Sequence, residues 1–320
     1  MSSPHSDTPS DHPAISPWLT LLLATACGLI AANLYYGQPL AGPISAELGM
    51  SPAAAGLIVT LTQIGYGLGL LLIVPLGDLF ENRGLILTVI FAGAAALLAA
   101  GLVTHPLPFL AAALFIGLGS VAVQILVPYA AHMAPEAARG KVVGNVVSGL
   151  MLGIMLARPA SSFIAQFSSW HVVFYLSSAA MIVLMIVLAL ALPKRVPASK
   201  LAYRHLLSSM GRLAVTTPIL QRRALYQACM FGAFSVFWTT TPLLLAGPEF
   251  GLSQGGIALF ALAGVAGAIA APIAGRWADR GLTRPATIFA LLLVSASFLM
   301  THLAPHGSTL ALGLLTAAAI

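Results

Sequence analysis

Apolar residues run along this chain in long blocks, separated by short breaks where proline, glycine and charge collect. Each block is about twenty residues, enough for one helix to cross a hydrocarbon core of about 30 Å. The blocks predict helices near 18–38, 52–76, 85–104, 107–131, 142–165 and 172–192. After a polar stretch from Pro193 to about Arg222, further helices are expected near 223–246, 253–275 and 285–304. A tenth block opens near Ser308 and spans thirteen residues by Ile320. That length rises only about 20 Å, so the last helix is expected to continue past Ile320.

Composition agrees with the pattern. Of the 320 residues, 59% are hydrophobic and 7% are charged, against about 25% charged in a soluble domain. Too little polar surface remains to cover a water-soluble globule, so the expected fold is all-α and polytopic, with lipid as its solvent. Cys27 and Cys229 both fall inside expected spans, which argues against a structural disulfide. The stretch ATAC ending at Cys27 looks faintly like a lipoprotein cleavage site, but no Lys or Arg precedes it. Trp18 onward is therefore read as a retained first helix behind a disordered tail, residues 1–17.

Charge then orients the chain. Thirteen of the 14 Lys and Arg residues fall in loops on one side of the expected helices, and the last, Arg158, falls within a span. Basic loops stay cytoplasmic, so the N-terminus is expected in the cytoplasm and the odd-numbered helices run outward. The net charge of +6 is thereby explained by membrane orientation, and no nucleic-acid partner is expected. The bilayer is therefore an expected partner; a small-molecule substrate, a monomeric chain and a bacterial inner membrane are expectations that rest on the family resemblance below.

The stretch PLGDLFENRG, Pro75 to Gly84, places Asp78, Glu81 and Arg83 in the expected turn between the second and third helices. GRWADRGLTRP, Gly275 to Pro285, lies between the eighth and ninth. Asp78 and Asp279, Arg83 and Arg284, and His105 and His306 are each separated by 201 positions. This is the form of two parallel six-helix halves, which predicts a full length of roughly 400 residues. The first half covers 18–192, a basic linker 193–222, and the second half is partial, 223–320.

These residues resemble the major facilitator superfamily. Gly275, Asp279, Arg280 and Arg284 match the pattern G-x-x-x-D-R-x-x-x-R of its second gate loop. The first loop keeps Asp78 and Arg83, with Val74, Leu79, Glu81 and Asn82 at the other motif positions. NLYYGQPL at Asn33–Leu40, TQIGYGLGLLLIVPLGD at Thr62–Asp78 and SSWHVVF at Ser168–Phe174 resemble a bacterial efflux-type branch. The resemblance implies that each loop Asp faces a helix N-terminus in the opposite half when the cytoplasmic side is shut: Asp78 the eleventh helix, Asp279 the fifth near Val142. Two signatures depart from the family. Ala113 stands where the fourth helix usually carries Arg, and the antiporter pattern of the fifth is reduced to Gly149, Gly153, Ala157 and Pro159, with Arg158 intruding.

Candidate site chemistry is polar residues inside the spans. Arg158 costs about 2.5–3.5 kcal/mol at mid-bilayer, so it is expected to face a cavity or to snorkel toward the outer surface. In a cavity, its forked donors suit an anionic or carbonyl-rich substrate. Asn33 and Tyr36 share a face of the first helix, as do Gln63 and Tyr66 of the second. Gln124, Asn145, Tyr226, Gln227 and Trp238 add polar groups on the fourth, fifth and seventh helices. Each alone reads as an interhelical hydrogen bond; together they suggest a substrate cavity. Gly65 and Gly69 read as close helix packing.

The functional expectation is a secondary active transporter exporting a drug-, sugar- or nucleoside-class solute by alternating access, with the proton as coupling ion and no other cofactor or metal. All eight acidic residues fall in loops or the tail, which leaves three options: a proton site beyond Ile320, a loop-edge carboxylate, or different coupling. A channel, a receptor or a non-transporting membrane protein is the alternative. An enzyme is not expected. GLSQG, Gly251 to Gly255, matches G-x-S-x-G, but that motif needs a strand before its Ser, and here it opens a helix.

Overall fold

The computed structural model describes residues 16–51, 54–197, 202–265, 276–277, 280–303, 313 and 315–316. Gly275, Asp279, His306, most of the tail and most of the tenth block lie outside the described residues. Within them the chain is helical, with no strand, and eight helices are long and apolar enough to cross a membrane.

The first span differs most from expectation. It runs to Glu47 and is broken: α1 (Pro17–Ala32) ends in a tight turn, and α2 (Gly37–Glu47) continues beyond it. Through the break, Asn33, Leu34 and Tyr35 donate their N–H groups to carbonyls three residues back. Pro39 explains the position: it lacks an N–H and is tolerated only in a first helical turn, so a new helix must begin just before it. The second span is α3 (Gly56–Leu72), closed by a short 3₁₀ turn, Val74–Asp78.

The third span is α4 (Asn82–Leu102). The fourth is broken into α5 (Pro106–Ser120) and α6 (Ala122–Met133). At that break the Ser120 hydroxyl donates to the Ile116 carbonyl at 2.8 Å, a back-bond that bends helices.

The fifth span, α7 (Glu136–Phe167), starts six residues earlier than expected. Pro135 precedes it and Glu136 occupies its first turn, where a carboxylate suits the helix dipole. Arg139 and Lys141 therefore lie on helix outside the apolar stretch. α8 (Trp170–Ala191) completes the first half. The stretch expected as a plain linker contains an amphipathic helix, α9 (Tyr203–Thr216), and the seventh span, α10 (Pro218–Ala246), follows at once. α11 (Gln254–Ala261) and α12 (Thr283–Leu303) are the remaining long elements.

Small residues set the packing of the first half. α1 lies along α7, α3 along α5, and α4 against both α5 and α8. A Cβ on Gly153 would collide with the Gly28 carbonyl oxygen, and one on Gly65 with that of Leu114. Helices in lipid lack a hydrophobic drive toward each other, so close backbone approach supplies the attraction. The Gly149 and Gly153 pair thus serves the α1–α7 contact. A smaller core, Phe237, Trp238, Leu245, Ile257 and Phe260, joins α10 to α11.

Contact between α2 and α10 and between α7 and α11 ties the two halves together. Both contacts lie at the end of the bundle opposite the basic loops. There the Gly255 N–H donates to the Gln166 side chain at 2.7 Å, and Gly42 faces Leu243. At the basic end every residue of α10 from Pro218 to Cys229 is exposed.

Candidate functional site

Arg158 is where the two halves converge. α7 delivers it about nine residues, some 13 Å, before its far end, and the side chain does not snorkel: it is 4% exposed. Its guanidinium carbon lies 4.6 Å from the ring centre of Tyr35, 4.8 Å from Phe234 and 4.7 Å from Trp238. Tyr35 sits in the break of the first span, while Phe234 and Trp238 are one turn apart on α10. Nε donates to the Gln38 carbonyl oxygen at 2.7 Å, and Nη1 reaches the Ile154 carbonyl at 3.4 Å. Among the described residues no carboxylate pairs with it; the ion pair found there joins Glu47 to His171.

The arrangement makes a buried cation tolerable. Each ring contributes about 0.5–2 kcal/mol through its quadrupole, and three of them offset an insertion cost of about 2.5–3.5 kcal/mol. Of the cage, sequence reasoning picked out Arg158 and Trp238 and missed Tyr35, Gln38 and Phe234. The spacing was there to be read: Tyr35 and Gln38 are three apart, and Phe234 and Trp238 four apart.

The other span residues separate into groups. Asn33 is buried and accepts a hydrogen bond from the Ser177 hydroxyl at 2.5 Å, clamping the first span to α8. Gln124 donates to the Tyr66 hydroxyl at 2.8 Å, joining α6 to α3. Tyr36 and Tyr66, both half-buried, pack against the cluster of Ala32, Leu34, Tyr35 and Ala157 beside the cage. The Gln63 amide nitrogen is buried without a partner. Asn145 is exposed on α7 and does not join this group. Tyr226 and Gln227 are also outside it; they line a cleft of about 760 Å³ between α10 and α12.

At the basic end, the charges of the Pro75–Gly84 loop have distinct roles. Glu81 caps α4, accepting from the N–H groups of Arg83 and Gly84 at 2.8 Å each. Desolvation, the largest single influence, raises its pKa, but donation from Gly84, Arg83 and Arg195 and the charge of Lys194 together outweigh it and hold the carboxyl below its ordinary value. Arg83 donates to the Leu192 carbonyl at 3.1 Å. Asn82 and Arg195 exchange two hydrogen bonds, at 2.9 and 2.7 Å, so the start of the linker is strapped to the turn. Asp78 is exposed and lines a cleft of about 430 Å³ with Tyr129, His132, Arg195, Leu206 and Met210. Arg280 and Arg284 are exposed beside and at the start of α12. His171 and Trp170 of the SSWHVVF stretch both engage Glu47, at 3.4 and 2.7 Å, closing the far end of the first half.

The sequence profile of the Major Facilitator Superfamily matches residues 21–320. YgaY of Escherichia coli O157:H7, described as an uncharacterized transporter, is 42% identical over 299 residues, covering 93% of this chain and 75% of its own length. The probable transporter SCO4007 of Streptomyces coelicolor is 31% identical over 265 residues, 81% of this chain and 60% of that one. A bacterial homologue of the human lysosomal transporter Spinster, solved in an inward-facing, occupied conformation, superposes with a TM-score of 0.71 at 17% identity, over 94% of this chain and 71% of the other. With the two-half helical architecture, these matches show that the chain belongs to the Major Facilitator Superfamily of transporters.

Proposed function

We propose that this protein is a secondary active transporter that exports a small organic solute, of the drug, sugar or nucleoside class, from the bacterial cytoplasm in exchange for protons. The observation behind this reading is a buried, charged and aromatic site at the junction of the two halves, where Arg158 of α7 meets Phe234 and Trp238 of α10. Among the described residues, α2 meets α10 and α7 meets α11 on the same side of the bundle. Alternating access requires a solute site placed where the halves part. Basic loops favour the cytoplasmic side, so these contacts would lie toward the outer face.

Everted inner-membrane vesicles from cells making the full chain test this reading with a panel of labelled drugs, sugars and nucleosides. Saturable uptake of one solute that collapses with a protonophore is the expected result. Flux rising linearly with concentration would favour a channel, and no flux across the panel would favour a non-transporting membrane protein.

A further inference from the structure

We infer that the Arg158–Gln38 pair is the anchor for a carboxylate, so the solute is an organic anion with an apolar or aromatic body. This rests on the transport reading above and narrows its substrate class. Arg158 leaves Nη2 buried without a hydrogen-bond partner, and Gln38, fully buried, leaves its Nε2 in the same condition. The orientation of the Gln38 amide is fixed chemically, because Arg158 Nε can only donate and so must face the Gln38 oxygen. Both orphan groups are therefore donors, held on two side chains already bonded to each other. An acceptor with negative charge answers both, and a carboxylate matches the flat fork of a guanidinium.

The rest of the cage points to the same class of ligand. Glu47, Asp78, Glu81, Glu136 and Glu249, the acids among the described residues, all lie at helix ends or in loops. Aromatic faces keep the guanidinium charged without neutralising it, so its charge is available to a ligand. Tyr35 faces it from the first half, and Phe234 and Trp238 from the second. Separation of the halves would uncover the donors while leaving aromatic walls on both sides, a fit for a carboxylate on a flat apolar body. Tyr36 and Tyr66, half-buried beside the cage, extend those walls.

The test uses the full chain in nanodiscs and reads tryptophan fluorescence, since Trp238 touches the guanidinium. The probes are acetate, benzoate and gluconate, each titrated beside its neutral amide. At least one carboxylate is expected to bind about tenfold or more tightly than its amide, the range for a hydrogen bond to a charged group. Arg158→Gln should abolish that preference, Arg158→Lys should keep part of it, and Gln38→Leu should weaken it. Equal binding or no binding of acid and amide across the panel overturns the inference, as does a preference that survives in Arg158→Gln. If Arg158→Gln fails to give a monodisperse protein, an unchanged preference in both Arg158→Lys and Gln38→Leu overturns it instead. Saturable uptake without any carboxylate preference would sink the anchor and leave transport standing. Carboxylate-selective binding without flux would do the reverse.

Discussion

Arg158→Lys should loosen the seam between the halves while preserving formal charge. The planar guanidinium lies within 4.8 Å of three ring centres, and two of those rings, Phe234 and Trp238, come from α10 across the seam. An ammonium is more strongly hydrated, cannot stack flat and cannot keep both the Gln38 and Ile154 contacts with one fork. If each ring across the seam loses about 1 kcal/mol of cation–π attraction, closing the far end becomes about 2 kcal/mol harder. That corresponds to a shift of about thirtyfold in the open-to-closed ratio. Spin labels at Ser51 and Glu249, exposed at the far end of each half, report the separation by pulsed dipolar spectroscopy after Cys27 and Cys229 are replaced. The substituted protein should show a longer-distance population that the parent lacks. Identical distance distributions would refute the claim that the cage holds the seam.

Three further outcomes follow from other contacts. Gly65→Ala drives a Cβ into the Leu114 carbonyl; overpacking of this kind costs about 1–3 kcal/mol and should lower the melting temperature in detergent. Glu81→Ala removes the cap of α4, a loss of about 1 kcal/mol. Because the folded-state pKa of Glu81 is lowered, its contribution is present above the unfolded value and fades as pH falls through the folded one, so parent and Glu81→Ala should converge in stability in acid. Cys229, exposed on α10, should react with a membrane-impermeant maleimide in everted but not in right-side-out vesicles, while buried Cys27 stays unlabelled; labelling of Cys229 from the outside would contradict the proposed orientation.

What the sequence revealed and what it hid follow from the range of each interaction. Spans are legible because lipid imposes one length on every apolar block, and the structure keeps their order from Pro17 onward. Local chemistry moves the boundaries. Pro39 forces the break near Asn33, and Ser120 bends the fourth span through a back-bond, both short-range effects that a hydropathy window averages away. α9 was missed for a related reason. Its apolar residues, Tyr203, Leu206, Leu207, Met210 and Leu213, recur at helical spacing, but they lie inside a stretch whose mean is polar. The site divides in the same way. A lone Arg in a span announces itself through its insertion cost. Its partners do not, because Gln38 lies 120 positions away in the chain, and Phe234 looks like any aromatic in an apolar helix. Asn33 and Gln124 are cavity candidates by polarity, yet they bond to Ser177 and Tyr66 within the first half. Polar composition alone cannot separate a residue that fastens helices from one that faces a solute. Only the pairing of donors with acceptors does so, and Arg158 and Gln38 stand apart because their unmatched donors sit on two side chains already bonded to each other.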